Sequence, residues 1–158
     1  MALTKKEHAQ IRRFLDGSNW MQLATSNDDH PRISHHWFAP DDDHNLYIFT
    51  RYTRTHSQEL TLNPNVAGGI ALPPFHGLGT RALGASFQGT ANLAEGPELD
   101  DAWAHYRKRF PYVATRWSPA MMRDGSIDNR IYKITPSTFR IFDESLGIEG
   151  NVLEIDLA

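Results

Sequence analysis

The run WMQLATSNDDHPRISHHWFAPDDDHNLYIFT, residues 20–50, contains three strand-like segments: WMQLATS (20–26), RISHHWFA (32–39) and NLYIFT (45–50). The turn-rich pieces NDDHP and PDDDHN separate them, so the three read as strands joined by hairpins. Upstream, Thr4 and Glu7 have capping-box spacing. Ile11, Phe14 and Leu15 then share one helical stripe that Gly17 can end, which predicts a short opening helix. Downstream, TRTHSQELTLNP (53–64) suits one or two helical turns with a hydroxyl residue at the N-cap, closed before Pro64. NVAGGIAL (65–72) and RALGASFQGTANLAE (81–95) read as further strands, with glycines where a barrel wall bends or is closely approached. Pro97, Leu99, Ala102, Trp103, Tyr106 and Phe110 mark the clearest helix, ended by Pro111. RWSPAMMRDGS (116–126) reads as a loop, RIYKITPSTFRIFDE (130–144) as a strand or hairpin, and NVLEIDL (151–157) as a last strand candidate. Many strands with few helices predict a mainly β fold closed wholly or partly into a barrel, since closure removes exposed edges.

The bulk composition sets bounds on function. At 158 residues, with 40% hydrophobic and 22% charged residues, the chain suits one domain over residues 1–158. Sixteen basic against 19 acidic residues leave a net charge of −3, which offers no global field for nucleic acid. The absence of cysteine excludes disulfides and thiol chemistry. The N-terminal residues lack an apolar signal region, and no apolar run approaches the ~20 residues needed to cross a bilayer, so a cytoplasmic protein without a membrane partner is the expectation.

Chemistry concentrates at YIFTRYTRTHSQEL (47–60), where a strand runs into a hydroxyl- and cation-rich helix start. Free N–H groups and the helix dipole favour an anion there, and the fork of Arg54 can hold two phosphate oxygens. Thr53, Thr55 and His56 add donors. The same residues also suit an ordinary helix start with two solvated charges. His30, His35, His36, His44, His56 and His76 raise the question of a metal or haem. His35 and His36 are adjacent on one strand, however, and point to opposite faces, so they cannot share an ion, and no metal site is expected. Asp41, Asp42 and Asp43 read as a solvated turn that accepts local backbone hydrogen bonds. Arg107, Lys108 and Arg109 read as cations favouring a helix C-terminus rather than as an RNA surface.

YIFT followed by the Thr-Arg-Thr-His cluster, a helix and Asn-Pro resembles the signature of the pyridoxamine 5′-phosphate oxidase-like flavin proteins. HPRISHHWFAPDDDHNLYIFT (30–50) is similar to their opening strand pair, and SFQGTANLAEG (86–96) to their long strand. YRKRFP (106–111) and IYKITPSTFRIFDE (131–144) resemble an uncharacterised bacterial branch of that superfamily. The resemblance implies a six-stranded antiparallel split β-barrel with a few short flanking helices, forming a homodimer with FMN at the interface. It implies a phosphate near Arg54, Thr55 and His56, and a flavin ring edge near Phe49 and Thr50 and around Ser34, His35, His36 and Trp37. Gln88 would come from the long strand or from the partner subunit. Phe49 suits simple core equally well.

Ser34 stands where pyridoxamine phosphate oxidases carry arginine, Ala39 where they carry a strand-end lysine, and His56 where their phosphate cluster has lysine. The Arg-x-His pair that grips pyridoxamine phosphate has no counterpart near the C-terminus, which argues against pyridoxal phosphate synthesis. The leading expectation is an FMN-dependent oxidoreductase acting on an unknown small molecule, with no general acid or base assigned. The alternatives are a non-catalytic flavin or haem carrier or sensor, and a dimeric interaction module whose site has decayed.

Overall fold

The computed structural model describes residues 2–157; Met1 and Ala158 lie outside it. Helix α1 (Lys5–Gly17) begins with the anticipated capping box: the Thr4 hydroxyl accepts the Glu7 N–H while the Glu7 carboxylate accepts the Thr4 N–H. Ile11, Phe14 and Leu15 are fully buried on its inner stripe. Strands β1 (Trp20–Asn27), β2 (His30–Pro40) and β3 (Leu46–Arg51) form the two successive antiparallel hairpins read from residues 20–50. Then come α2 (Thr55–Leu62), β4 (Asn65–Ala71), β5 (Leu83–Leu93), α3 (Gly96–Arg109), a 3₁₀ turn at Pro111–Thr115, α4 (Pro119–Arg123), β6 (Asn129–Asp143) and β7 (Val152–Asp156).

The sheet order is β3-β2-β1-β4-β5-β6-β7, and β3 also pairs with β6. Six strands therefore close into a ring, and the sheet has seven strands rather than the six expected. The extra one arises because β6 is 15 residues long. Its first part, Asn129–Ile134, pairs with β3, and its later part, Thr138–Phe142, pairs with β7 on the same side. The barrel interior is filled by Met21, Leu23, Phe38, Ile48, Ile70, Phe87, Phe139 and Ile141, with α1 closing one opening through Phe14 and Leu15. A second cluster lies outside the ring, where Leu99, Trp103 and Tyr106 of α3 cover Ala39, Tyr47 and Ile131.

Two glycines show why the wall needs them. A Cβ on Gly68 would lie 2.1 Å from the Phe87 ring, and one on Gly89 would lie 2.2 Å from the Thr135 carbonyl oxygen. Gly89 follows a bulge in the β5–β6 pairing and faces Pro136, which has no N–H to donate to a regular ladder.

Two local expectations change. Residues 116–126 are not all loop, because Ser118 accepts the Met121 N–H and Pro119 opens the short helix α4. The N-cap of α2 is Arg54, not a hydroxyl residue, and no side chain caps it. No described helix is long and apolar enough to cross a membrane.

Candidate functional site

The turn between β3 and α2 is held firmly from below. The Tyr52 N–H donates to the Asp128 carbonyl at 3.0 Å, the Ser57 hydroxyl to the Arg51 carbonyl at 2.9 Å, and the Gln58 amide to the Tyr52 carbonyl at 2.6 Å. The body of α2 is pinned to the barrel by Glu59. Its carboxylate accepts the buried Thr25 hydroxyl of β1 at 2.5 Å and the Arg32 guanidinium of β2 at 3.0 Å. The bond from Thr25 holds the carboxyl below its ordinary range, burial opposes this, and Arg32 adds to it. The Asn63 amide reaches the Ser26 hydroxyl at 3.1 Å and fastens the far end.

Above this anchor, Thr53, Arg54 and Thr55 are exposed. Among the described residues Arg54 makes no salt bridge. The first N–H groups of α2 receive no side-chain cap, so the turn presents free donors and an unpaired guanidinium side by side. That donor set fits a phosphate.

Directly behind it lies a polar cluster. His56 Nε2 and Thr50 Oγ1 are 2.9 Å apart, and His36 Nε2 and Ser34 Oγ are 2.7 Å apart. The two imidazoles meet edge to face, with centroids 4.7 Å apart and planes at 86°. Burial, then His56 and His35, pushes the His36 pKa down to about 4. Burial and Arg54 also lower that of His56, opposed by Glu59. His36 is therefore neutral at pH 7.

Ser34, His36, Thr50, Arg54, Thr55 and His56 thus gather at one end of the barrel. The strand alternation separates the other candidates as periodicity required. His35 and Trp37 point outward from β2, where His35 stacks on Trp20 at 6.0 Å and Trp37 meets Trp20 edge-on at 4.6 Å; Trp37 is 56% exposed. Phe49 is partly buried and packs against the cluster outside the ring, between Trp117 at 5.4 Å and Tyr106 at 5.9 Å. Gln88 does not join the turn within one chain. It lines a groove of about 680 Å³ with Ser26, Asn65, Thr90 and Ser137, which includes none of the other candidates.

Glu59, Thr25 and Arg32 escaped the sequence reading. A signal for them existed: Thr25 continues the inward series Met21 and Leu23, and a hydroxyl at an inward position demands a partner. Asp41 accepts the local N–H groups of Asp43 and Asn45 at 2.9 Å as expected of the turn, but it is buried rather than solvated, because its carboxylate also accepts the Tyr47 hydroxyl. Arg109 does more than favour its own helix end. It reaches across to the Leu15 and Ser18 carbonyls after α1 at 2.8 and 2.6 Å, because α3 delivers it to the unsatisfied end of that helix. No group of three His, Asp, Glu or Cys side chains among the described residues is placed to hold a metal ion.

Comparison with known proteins relates the chain and its fold to a wider group. The family model described as pyridoxamine 5′-phosphate oxidase matches residues 8–142. No curated protein matches the sequence. Among solved structures, a haem-binding protein from Mycobacterium smegmatis superposes with a TM-score of 0.76 at 16% identity. The match covers 99% of this chain and 60% of that one, so the chain spans less than two thirds of that protein's length. A putative pyridoxamine 5′-phosphate oxidase from Listeria innocua gives a TM-score of 0.63 at 21% identity, over 85% of this chain and 96% of that one. HutZ, the haem storage protein from Vibrio cholerae, gives 0.62 at 18% identity, over 81% and 88%.

Proposed function

Since the chain belongs to the pyridoxamine 5′-phosphate oxidase family, we propose that it binds FMN as a homodimer and acts as a flavin-dependent oxidoreductase on a small molecule. The observation that carries this reading is the uncapped start of α2, with Arg54 unpaired beside it and Glu59 fastening the helix beneath. In this reading Arg54 and the α2 N–H groups hold the phosphate, with Thr55 and His56 completing the grip. The Thr50–His56 and Ser34–His36 contacts hold the two rings in place behind the turn. Bound FMN would supply the electron-transfer chemistry, while the protein supplies position and exclusion of water. His35 and Trp37 face outward and Gln88 lines the open groove, so all three meet a cofactor only where a second subunit brings the faces together.

The chain lacks the cations for pyridoxamine phosphate. Ser34 is engaged with His36, and Ala39 is fully buried against the α3 layer, where no lysine ammonium could reach a ligand. Pyridoxal phosphate synthesis is therefore outside the proposed activity.

The second reading is a non-catalytic flavin or haem carrier. It is supported by the haem-binding and haem-storage proteins that share the fold, and by the exposed aromatic strip of Trp20 and Trp37, a surface suited to a planar macrocycle. The visible spectrum of purified protein, before and after adding FMN and desalting, separates the two. Retained flavin bands that bleach with NADH or NADPH support the enzyme, retained but unreduced flavin or a Soret band supports the carrier, and a blank spectrum in both samples rejects both.

A further inference from the structure

His56 is the second residue of α2, directly behind the exposed Arg54 and Thr55. The groups around its ring are unusual for a phosphate site. From α2 it faces Arg54 and Glu59; from β2, His36; and from β3, Thr50. Arg130 of β6 lies opposite Thr50 in the strand register but turns its guanidinium to the Ile127 and Asn129 carbonyls and the Tyr52 ring, and His35 lies on the other face of β2. The single carboxylate in this set, Glu59, is already engaged by Thr25 and Arg32. The ring is partly buried, its Nε2 is tied to a hydroxyl that serves as donor or acceptor, and its nearest aromatic neighbour is another imidazole. A proton on His56 thus finds no free negative charge in the protein alone. A phosphate ester beside Arg54 provides one.

Resting on the assignment of a phosphate to the β3–α2 turn, we propose that anion binding there takes up a proton on His56, so that the site holds a phosphate ester more tightly as the pH falls from 8 to 6. His36, more deeply buried at 7% exposure and without an anion to face, stays neutral across this range and leaves His56 as the group that charges. The lysine of related phosphate clusters is thereby replaced by a cation that exists only when the ligand is present.

The test is FMN affinity, followed by flavin fluorescence at pH 8, 7 and 6, for the unaltered protein and His56→Gln. Glutamine retains a partner for Thr50 but cannot titrate. The phosphate's own protonation, with a second pKa near ~6, is common to both proteins and cancels in the ratio. One fully coupled proton sets a ceiling of about tenfold per pH unit. The expected result is that the unaltered protein gains about three- to tenfold over His56→Gln between pH 8 and 6. Titration calorimetry of the unaltered protein in two buffers of different ionisation enthalpy, with the His56 ring signal followed by NMR, gives the answer even where the variant fails to fold: FMN should raise the His56 pKa and draw in protons. Parallel pH profiles with retained binding, or an unmoved ring signal, overturn this inference and leave the phosphate site standing. Failure to bind FMN at every pH overturns both.

Discussion

Replacing Thr25 with Val tests whether α2 is held from inside the barrel. Valine keeps the shape and the strand preference of threonine and replaces the hydroxyl with a methyl group. Thr25 is 2% exposed and its hydroxyl donates to the Glu59 carboxylate at 2.5 Å. A hydrogen bond to a charged group contributes about 1.5–3 kcal/mol, and the loss here leaves Glu59 with Arg32, itself half-exposed and worth about 0.5 kcal/mol. The expected destabilisation is therefore about 1.5–3 kcal/mol, or roughly 3–12 °C in melting temperature at about 2–4 °C per kcal/mol for a chain of this size. Thermal melts by circular dichroism give the global figure. Amide hydrogen exchange locates it: protection should fall in Thr55–Leu62 while β5 and β6 retain theirs. A loss below about 0.5 kcal/mol, or exchange that rises evenly over the whole barrel, would refute the claim that this bond anchors the helix carrying the site.

Arg54→Ala should weaken FMN binding by about tenfold or more while leaving the melting temperature within about 2 °C, because the guanidinium is exposed and unpaired; unchanged affinity in an equilibrium titration would remove Arg54 from the phosphate site. Acid should destabilise the protein through His36. Its folded pKa lies below the unfolded value, so the unfolded chain binds more protons; the stabilisation is complete above about pH 6.5 and declines as the pH falls toward about 4. His36→Gln should flatten that stretch of a urea-denaturation series. Gly89→Ala should cost about 1–3 kcal/mol or more, since the added methyl meets the Thr135 backbone at 2.2 Å, and chemical denaturation with no change in midpoint would show that the bulge relaxes freely.

Much of the barrel was legible because its signals are local. The alternation in residues 20–50, the Thr4–Glu7 box and the stripe at Leu99, Trp103 and Tyr106 each act within a few residues, and each appears in the fold. The opposite orientations of His35 and His36 followed from the same two-residue period. The candidate site was legible only in part. The turn at Arg54–His56 is continuous in sequence and could be read, whereas the residues that support it come from β1 and β2. The last strand was legible at residues 151–157, but its docking beside β3 along one side of β6, like the role of Arg109, depends on where β6 and α3 end in space, which no local pattern encodes.

By itself, then, the sequence determined the type and order of most elements, the mainly β class and the cation-rich turn, since periodicity, caps and turn residues act through neighbouring backbone. Tertiary structure alone decided the pairing of His36 with His56, the burial of Glu59 on Thr25 and Arg32, and the parting of Gln88 from the turn. These depend on how strands distant in sequence lie beside one another when the ring closes through β3 and β6. Closure sets one side chain against another across 20 to 40 residues of intervening chain, and the physical reason for each contact, a buried polar group needing a partner, takes effect only once that geometry exists.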